Sequence, residues 1–306
     1  SDLPEALQAE LQILREQAAG PWNVNFFCHT PPEPDPAAES RWRQALLPFY
    51  AEAGIDPASV PAGAGRVPFS HAIADVVEAF SPPVVSFHFG LPAPDLLARV
   101  KSWGAKVLSS ATTVDEARWL EAHGADAVIA QGLEAGGHRG MFLGTDVTTQ
   151  LGTLALVPQC VDAVDIPVIA AGGIMDGRGI AAAQALGAQA VQMGTAFLAC
   201  PESGIGPAYR QALAQAQDTD TRLTRVFSGR PARGIVNAMM EALAAEEDRV
   251  PAYPVQNALT GALRRAAAAQ GRASHLSLWA GQGVAAVRPL PAAQLVALLA
   301  QEWAQA

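Results

Sequence analysis

The segment Gln131-Gly132-Leu133-Glu134-Ala135-Gly136-Gly137-His138-Arg139-Gly140 carries four glycines in ten residues and a single imidazole. Glycine at this density lets a backbone lie flat against a planar ligand, and Gln131 can both donate and accept along the polar edge of a heterocycle. His138 is presented by the glycine loop, not by an apolar face. Its ordinary pKa near working pH suits proton abstraction, which makes it the candidate catalytic base. His88, in Ser86-Phe87-His88-Phe89-Gly90, stands among aromatics and reads equally as a core histidine or as a wall of the same site, in contact with substrate. His29, His71, His123 and His275 have no such setting.

Two further glycine turns suggest a phosphate site. Ala171 leads into Gly172-Gly173-Ile174-Met175-Asp176-Gly177-Arg178-Gly179, which opens a helix, and Gly194-Thr195 ends a later apolar run. Glycines admit close backbone approach, while a helix N-terminus adds free N–H groups and partial positive charge. Either turn alone is also consistent with simple tight turns; the two in series favour phosphate. No His, Cys, Asp or Glu residues share metal-ligand spacing on one element, so no metal is expected. Neither a GxSxG nucleophile turn nor a GxGxxG after the first strand is present. Arg230 and Arg233 are candidates for steadying an anionic substrate, with solvated surface arginines as the plainer expectation.

These loops need elements to position them. Apolar runs at Val24–Phe27, Val84–Phe89, Lys106–Ser110, Ala127–Gln131, Val168–Ala171 and Ala190–Gly194 do not alternate polar with apolar. They read as parallel strands covered on both faces. Helical patterns lie between them at Pro36–Ala53, Asp95–Trp103, Val114–His123, Thr149–Val164 and Arg178–Leu186. Gly104, Gly124 and Gly187 each stand where a helix ends and a strand begins, as a left-handed C′ residue would. Such a βα series builds either an open doubly wound sheet or a (β/α)8 barrel, and both put ligands at the C-terminal ends of the strands. Six strands are legible, two fewer than a closed barrel needs. Beyond Pro201, Tyr209–Gln217, Asn237–Glu246 and Ala258–Gln270 read as helices with no buried strand among them. The expected division is a main domain over 1–200 and 271–306, closed by a helix Pro291–Trp303, with a small helical subdomain over 201–270.

Of 306 residues, 20 are Lys or Arg and 29 Asp or Glu, a formal charge of −9, and half are apolar. The acidic balance argues against nucleic acid and anionic membrane surfaces, and the apolar content against disorder. Cys28, Cys160 and Cys200 form no CxxC pair, which speaks for a reducing compartment. The stretch Ser1 to Gln17 is acidic and amphipathic, unlike a signal peptide. Gly179 to Pro201 is uncharged over 23 residues but broken by glutamines and glycines, so a buried helix followed by a buried strand is expected, not a membrane span. The expected location is cytoplasmic.

Taken in order, Gln131 to Gly140, Pro167-Val-Ile-Ala-Ala-Gly-Gly-Ile174 and Val191-Gln-Met-Gly-Thr-Ala-Phe197 resemble the nitronate monooxygenases, once called 2-nitropropane dioxygenases. Ser86–Gly90, Ser109-Ser-Ala-Thr-Thr113, Thr153–Gln159, Gly229–Arg233 and Leu278-Trp-Ala-Gly-Gln282 fit the same pattern, from about Val24 to Trp303. The resemblance implies an FMN-dependent (β/α)8 TIM barrel with a small helical substrate domain. FMN phosphate would be held at Ala171, Gly172, Gly173, Gly194 and Thr195. Gln131, Ser110, Ala135 and Gly137 would lie along the flavin, with Gln282 a further candidate, and His138 matches the family's base. The implied reaction oxidises alkyl nitronates or nitroalkanes with O2 to an aldehyde or ketone plus nitrite. The close alternative is an FMN-dependent NAD(P)H reductase, acting on enoyl-thioesters or quinones, on the same scaffold. A small-molecule substrate and a homodimer complete the expected partners. Family members usually carry a strand with a proline-methionine turn and then an AGGLG-like turn before the equivalent of Asn23-Val24-Asn25; neither is present here. Together with the six legible strands, this predicts that the first two barrel strands, a piece of about 45–60 residues, are missing ahead of Ser1. A six-stranded remnant would bare two sheet edges and lose flavin contacts.

Overall fold

A computed structural model of the chain describes residues 3–61 and 66–306; Ser1, where the amphipathic stretch was read to begin, lies outside them. The first half runs α1 (Leu3–Gln17), β1 (Asn23–Phe27), α2 (Pro36–Ala53), α3 (His71–Glu78), β2 (Val84–His88), α4 (Pro94–Ser102), β3 (Lys106–Ala111), α5 (Val114–Ala122), β4 (Ala127–Gln131) and a two-residue β5 (Gly137–His138). The second half runs α6 (Thr153–Val161), β6 (Val168–Ala171), α7 (Gly177–Ala185), β7 (Ala190–Gln192), α8 (Thr195–Leu198), α9 (Pro207–Gln215), β8 (Thr221–Thr224), β9 (Ala232–Ile235), α10 (Ala238–Leu243), α11 (Val255–Ala269) and α12 (Ala292–Gln305).

Six strands form one parallel sheet in the order β1-β2-β3-β4-β6-β7. They coincide with the six apolar runs, and β4 is buried along its whole length. The helix–strand joints behave as expected: Gly104, Gly124 and Gly187 have φ of 88°, 98° and 95°, the left-handed region that glycine enters without penalty. Side chains cap the opposite ends of several helices, with Thr113 accepting from the Glu116 amide of α5 and Ser70 from the Ile73 amide of α3. Outside the sheet, α5, α6 and α7 cover β3, β4 and β6 through Leu120, Leu156, Val157 and Ala183 packed on Val128 and Val168. Leu11, Ile73, Val77, Leu97 and Val100 do the same over Val85, Phe87 and Val107. The sheet is curled, because Asn23 and Asn25 of one outer strand and Gln192 of the other line a single cavity. It is a half-barrel: among the described residues nothing pairs with the free sides of β1 and β7.

The expectations need three corrections. Segment 201–270 is not purely helical, since β8 and β9 pair antiparallel there and β9 also takes up β5, giving a sheet of order β5-β9-β8. These strands are only four residues long and mix charge with small side chains, so no apolar run marks them. Helix α2 does not cover the sheet. Its Trp42, Leu46 and Tyr50 pack with Phe227, Met239, Leu259 and Leu263 in a second core, while α3, which no pattern had marked, lies on the strands. Finally, β7 is an edge strand with Ala190 and Gln192 exposed, not a buried one, because the sheet ends there. No helix of the described residues is long and apolar enough to cross a membrane.

Candidate active site

A cavity of about 570 Å³ opens at the C-terminal ends of the sheet strands. Of the residues singled out above, Ser110, Gln131, Ala135, Gly137, His138, His88, Ala171, Gly172, Gly173, Gly194 and Thr195 all line it. Gln282 does not; its amide instead donates to Glu134 O at 2.9 Å, and its neighbours Gly281 and Gly283 reach the wall.

The glycine loop after β4 folds back on the strand it leaves. Gln131 Nε2 donates to His138 O at 2.9 Å, and Gln131 Oε1 accepts from the Gly140 amide at 2.7 Å. Its amide is therefore engaged at both ends in shaping the loop, with one N–H left over for a ligand. His88 spans the floor, Nε2 at 3.1 Å from His138 O and Nδ1 at 3.0 Å from Ser110 Oγ. Burial pushes His88 down to about 4, so it is neutral at pH 7 and holds the loop as a hydrogen-bonding bridge.

His138 Nε2 lies 2.8 Å from Ser228 Oγ, and no side chain or backbone group among the described residues bonds its Nδ1. Ser228 is buried; its hydroxyl donates to Arg230 O at 3.2 Å and accepts from the Arg230 amide at 3.3 Å. Ser228 Oγ thus joins the Nε2 side of the ring to the Arg230 backbone, and Nδ1 is the ring nitrogen left without a hydrogen-bond partner among the described residues. Around the ring stand Trp279, Tyr253, Phe27 and Phe89, with centroids 5.6 to 6.0 Å away. Burial among them, followed by repulsion from His88, Arg66, Arg230 and Arg264, holds the imidazole down at about 3.

The arginines depart from expectation. Arg233 is buried, donating to Leu133 O at 3.0 Å, and Arg230 is half-buried, with its guanidinium 4.1 Å over the Phe89 ring and donating to Met141 O at 3.1 Å. Neither is a solvated surface side chain, because β9 carries this segment against the glycine loop. Arg230 is thus one of the cations bearing on His138, although the protein as a whole is acidic.

At the far end of the cavity Gly172 and Gly173 have φ of 117° and 71°. A Cβ on Gly172 would come within 2.9 Å of Thr153 Oγ1, whereas one on Gly194 would meet no protein atom within 4 Å. The first amides of α7 are not free as the sequence suggested. Asp176 accepts from Arg178 N and Gly179 N, and Glu302 reaches across from α12 to accept from Gly177 N at 3.1 Å. The phosphate site expected there therefore cannot draw on those amides, and what remains open to the cavity is the 171–173 turn and the Gly194-Thr195 turn. Thr195 Oγ1 accepts from Gly281 N at 2.9 Å, which ties that turn to the 281–283 segment.

Sequence reading missed Ser228, Tyr253, Arg66 and Arg264, and saw Trp279 only as part of a motif. The turn Ser228-Gly229-Arg230-Pro231 held a signal: Gly229 has φ of 90°, and a Cβ there would sit 2.4 Å from Pro251 O.

The family model for nitronate monooxygenase matches residues 3–302. A nitronate monooxygenase of Pseudomonas aeruginosa is 47% identical over 300 residues, covering 96% of this chain and 85% of that protein. Among solved structures, nitroalkane oxidase from Streptomyces ansochromogenes superposes with a TM-score of 0.89 at 42% identity, over 99% of this chain and 86% of that one. FabK from Thermotoga maritima gives 0.73 at 29% identity, over 100% and 83%.

Proposed function

This chain belongs to the nitronate monooxygenase family, and from that premise we propose that it is an FMN enzyme oxidising alkyl nitronates, and less readily their parent nitroalkanes, to an aldehyde or ketone plus nitrite. The observation that carries the reading is His138 Nδ1, free of partners among the described residues, beside a glycine-walled cavity and among arginines.

The residues present fit the flavin. Gly194 leaves open space where a side chain would fill the cradle, and the 135–137 backbone forms a wall without bulky side chains. Ala171, Gly172, Gly173, Gly194 and Thr195 would hold the phosphate, with Ser110, Gln131, Ala135 and Gly137 along the ring system. FMN, when bound, supplies the electron acceptor that lets dioxygen be used. The protein's part is electrostatic and acid–base. Arg66, Arg230 and Arg264 favour an anion beside His138, which is the charge a nitronate brings. A neutral nitroalkane must first lose its α-proton to Nδ1, and the same cations oppose the imidazolium that forms while favouring the nitronate. A preformed nitronate omits that step and is the better substrate.

The test is the anaerobic visible spectrum of the FMN-loaded protein, with alkyl nitronate and NADPH as parallel additions. Bleaching by nitronate and hardly by NADPH is expected. Rapid bleaching by NADPH with nitronate inert would move the protein to the reductases.

A further inference from the structure

Beneath the His138 loop lies a buried polar chain that the reaction above does not use. Arg139 is fully buried, yet no carboxylate lies within ion-pair distance of it among the described residues. Its guanidinium donates to Gln131 O and Gly132 O, both at 2.7 Å, and Nε donates to Gln150 Oε1 at 3.1 Å. Gln150 Nε2 passes the direction on to Thr112 Oγ1 at 2.9 Å, and Thr112 Oγ1 donates to Glu116 Oε2 at 2.7 Å. The other Glu116 oxygen accepts from Phe142 N at 2.6 Å and Leu143 N at 3.1 Å. All four residues are buried, and every donor points from the cation toward the anion.

Two features make this more than a buried ion pair. Thr113 and Glu116 have the spacing of a capping box, in which the glutamate returns to the N-cap amide. Here the Glu116 carboxylate goes instead to the Thr112 amide and to the loop amides, so a helix-capping residue is diverted to the site. Second, the chain holds the loop at both ends. Arg139 fastens the carbonyls where the chain leaves β4, and Glu116 fastens the amides where it leaves the loop. Between those points lie Gly136, Gly137 and Gly140, which contribute little stiffness of their own. A desolvated cation offset only at a distance, by Glu134 and Glu116, costs several kcal/mol, so the packing of hydrophobic residues would serve stability better.

We propose that the buried relay Arg139–Gln150–Thr112–Glu116 is the positioning device for His138, holding its ring on Ser228 with Nδ1 toward the cavity. This rests on the nitronate reading for its chemistry, but not for its geometry. Gln150 is the decisive link, since it touches neither the cavity lining nor the loop amides.

The experiment compares wild type with Gln150→Leu and Arg139→Lys, each FMN-loaded. It reads nitroethane and ethylnitronate turnover, FMN content, thermal midpoint, and the His138 ring titration by NMR. For both variants nitroethane turnover should fall about tenfold or more relative to ethylnitronate turnover, the cost of a small misplacement of the base. FMN content should hold, and the His138 titration should rise toward the ordinary histidine range as water reaches the ring. A relay that merely supports the fold would lower thermal midpoint and FMN content while leaving the turnover ratio and titration unchanged, which overturns the proposal. So would variants identical to wild type, or failure of both to fold. If wild type oxidises neither substrate, the nitronate reading fails, and the His138 titration alone decides the relay.

Discussion

His138 sits where protonation is disfavoured, and that is the condition for a base kept free at neutral pH. In the proposed reaction its weakness as a base would be offset only by stabilising the anion nearby, the part assigned there to the arginine cluster. His138→Asn should therefore lower nitroalkane oxidation by roughly 10²–10⁴ while changing nitronate oxidation far less, as followed by oxygen uptake. Equal losses on both substrates would remove the base role. His138 itself was legible in the sequence because glycine density and an isolated imidazole are local properties. Ser228 was not, since it lies 90 residues away and meets the imidazole only because β9 pairs with β5. Arg139 was read as one more residue of the motif; nothing in a sequence says that its charge is turned inward.

At the level of elements, the strands were readable because a parallel strand covered on both faces must be apolar throughout, and the glycine joints because left-handed φ is costly for other residues. The partner of α2 was not readable. An amphipathic helix shows which face it buries, not which surface receives it, and Tyr50 OH bonds Leu259 O across 209 residues. The cradle turns make a prediction of their own. Gly194 has ordinary negative φ and open space at its Cβ position, so Gly194→Val should fold normally. It should nevertheless weaken FMN binding at least about tenfold by filling the cradle. Flavin fluorescence titration against the thermal midpoint of the flavin-free protein separates the two effects; unimpaired binding would place the phosphate elsewhere.

Over the whole molecule, an acidic chain gathers three arginines about His138, and its buried histidines tie the fold to pH. His88 and His138 fall to about 4 and about 3, below the ordinary 6.5 of an unfolded chain. Between those values the unfolded chain binds protons that the folded one refuses. The stability these two histidines contribute is therefore present above about pH 6.5 and is lost as pH falls toward 4, by up to about 1.4 kcal/mol per pH unit for each. Urea midpoints at pH 7.5 and 5.0 should show this loss, and His88→Asn should shrink it; a flat profile would contradict the neutral assignments. The route of α2 has a consequence during synthesis. Trp42, Leu46 and Tyr50 emerge from the ribosome early, but the Phe227, Leu259 and Leu263 they pack against are made some two hundred residues later. Until then a finished row of apolar side chains has no cover, although the strands around it can already pair. The second core closes only after α11 has emerged, and until then the exposed face of α2 is where a chaperone would find a long-lived foothold.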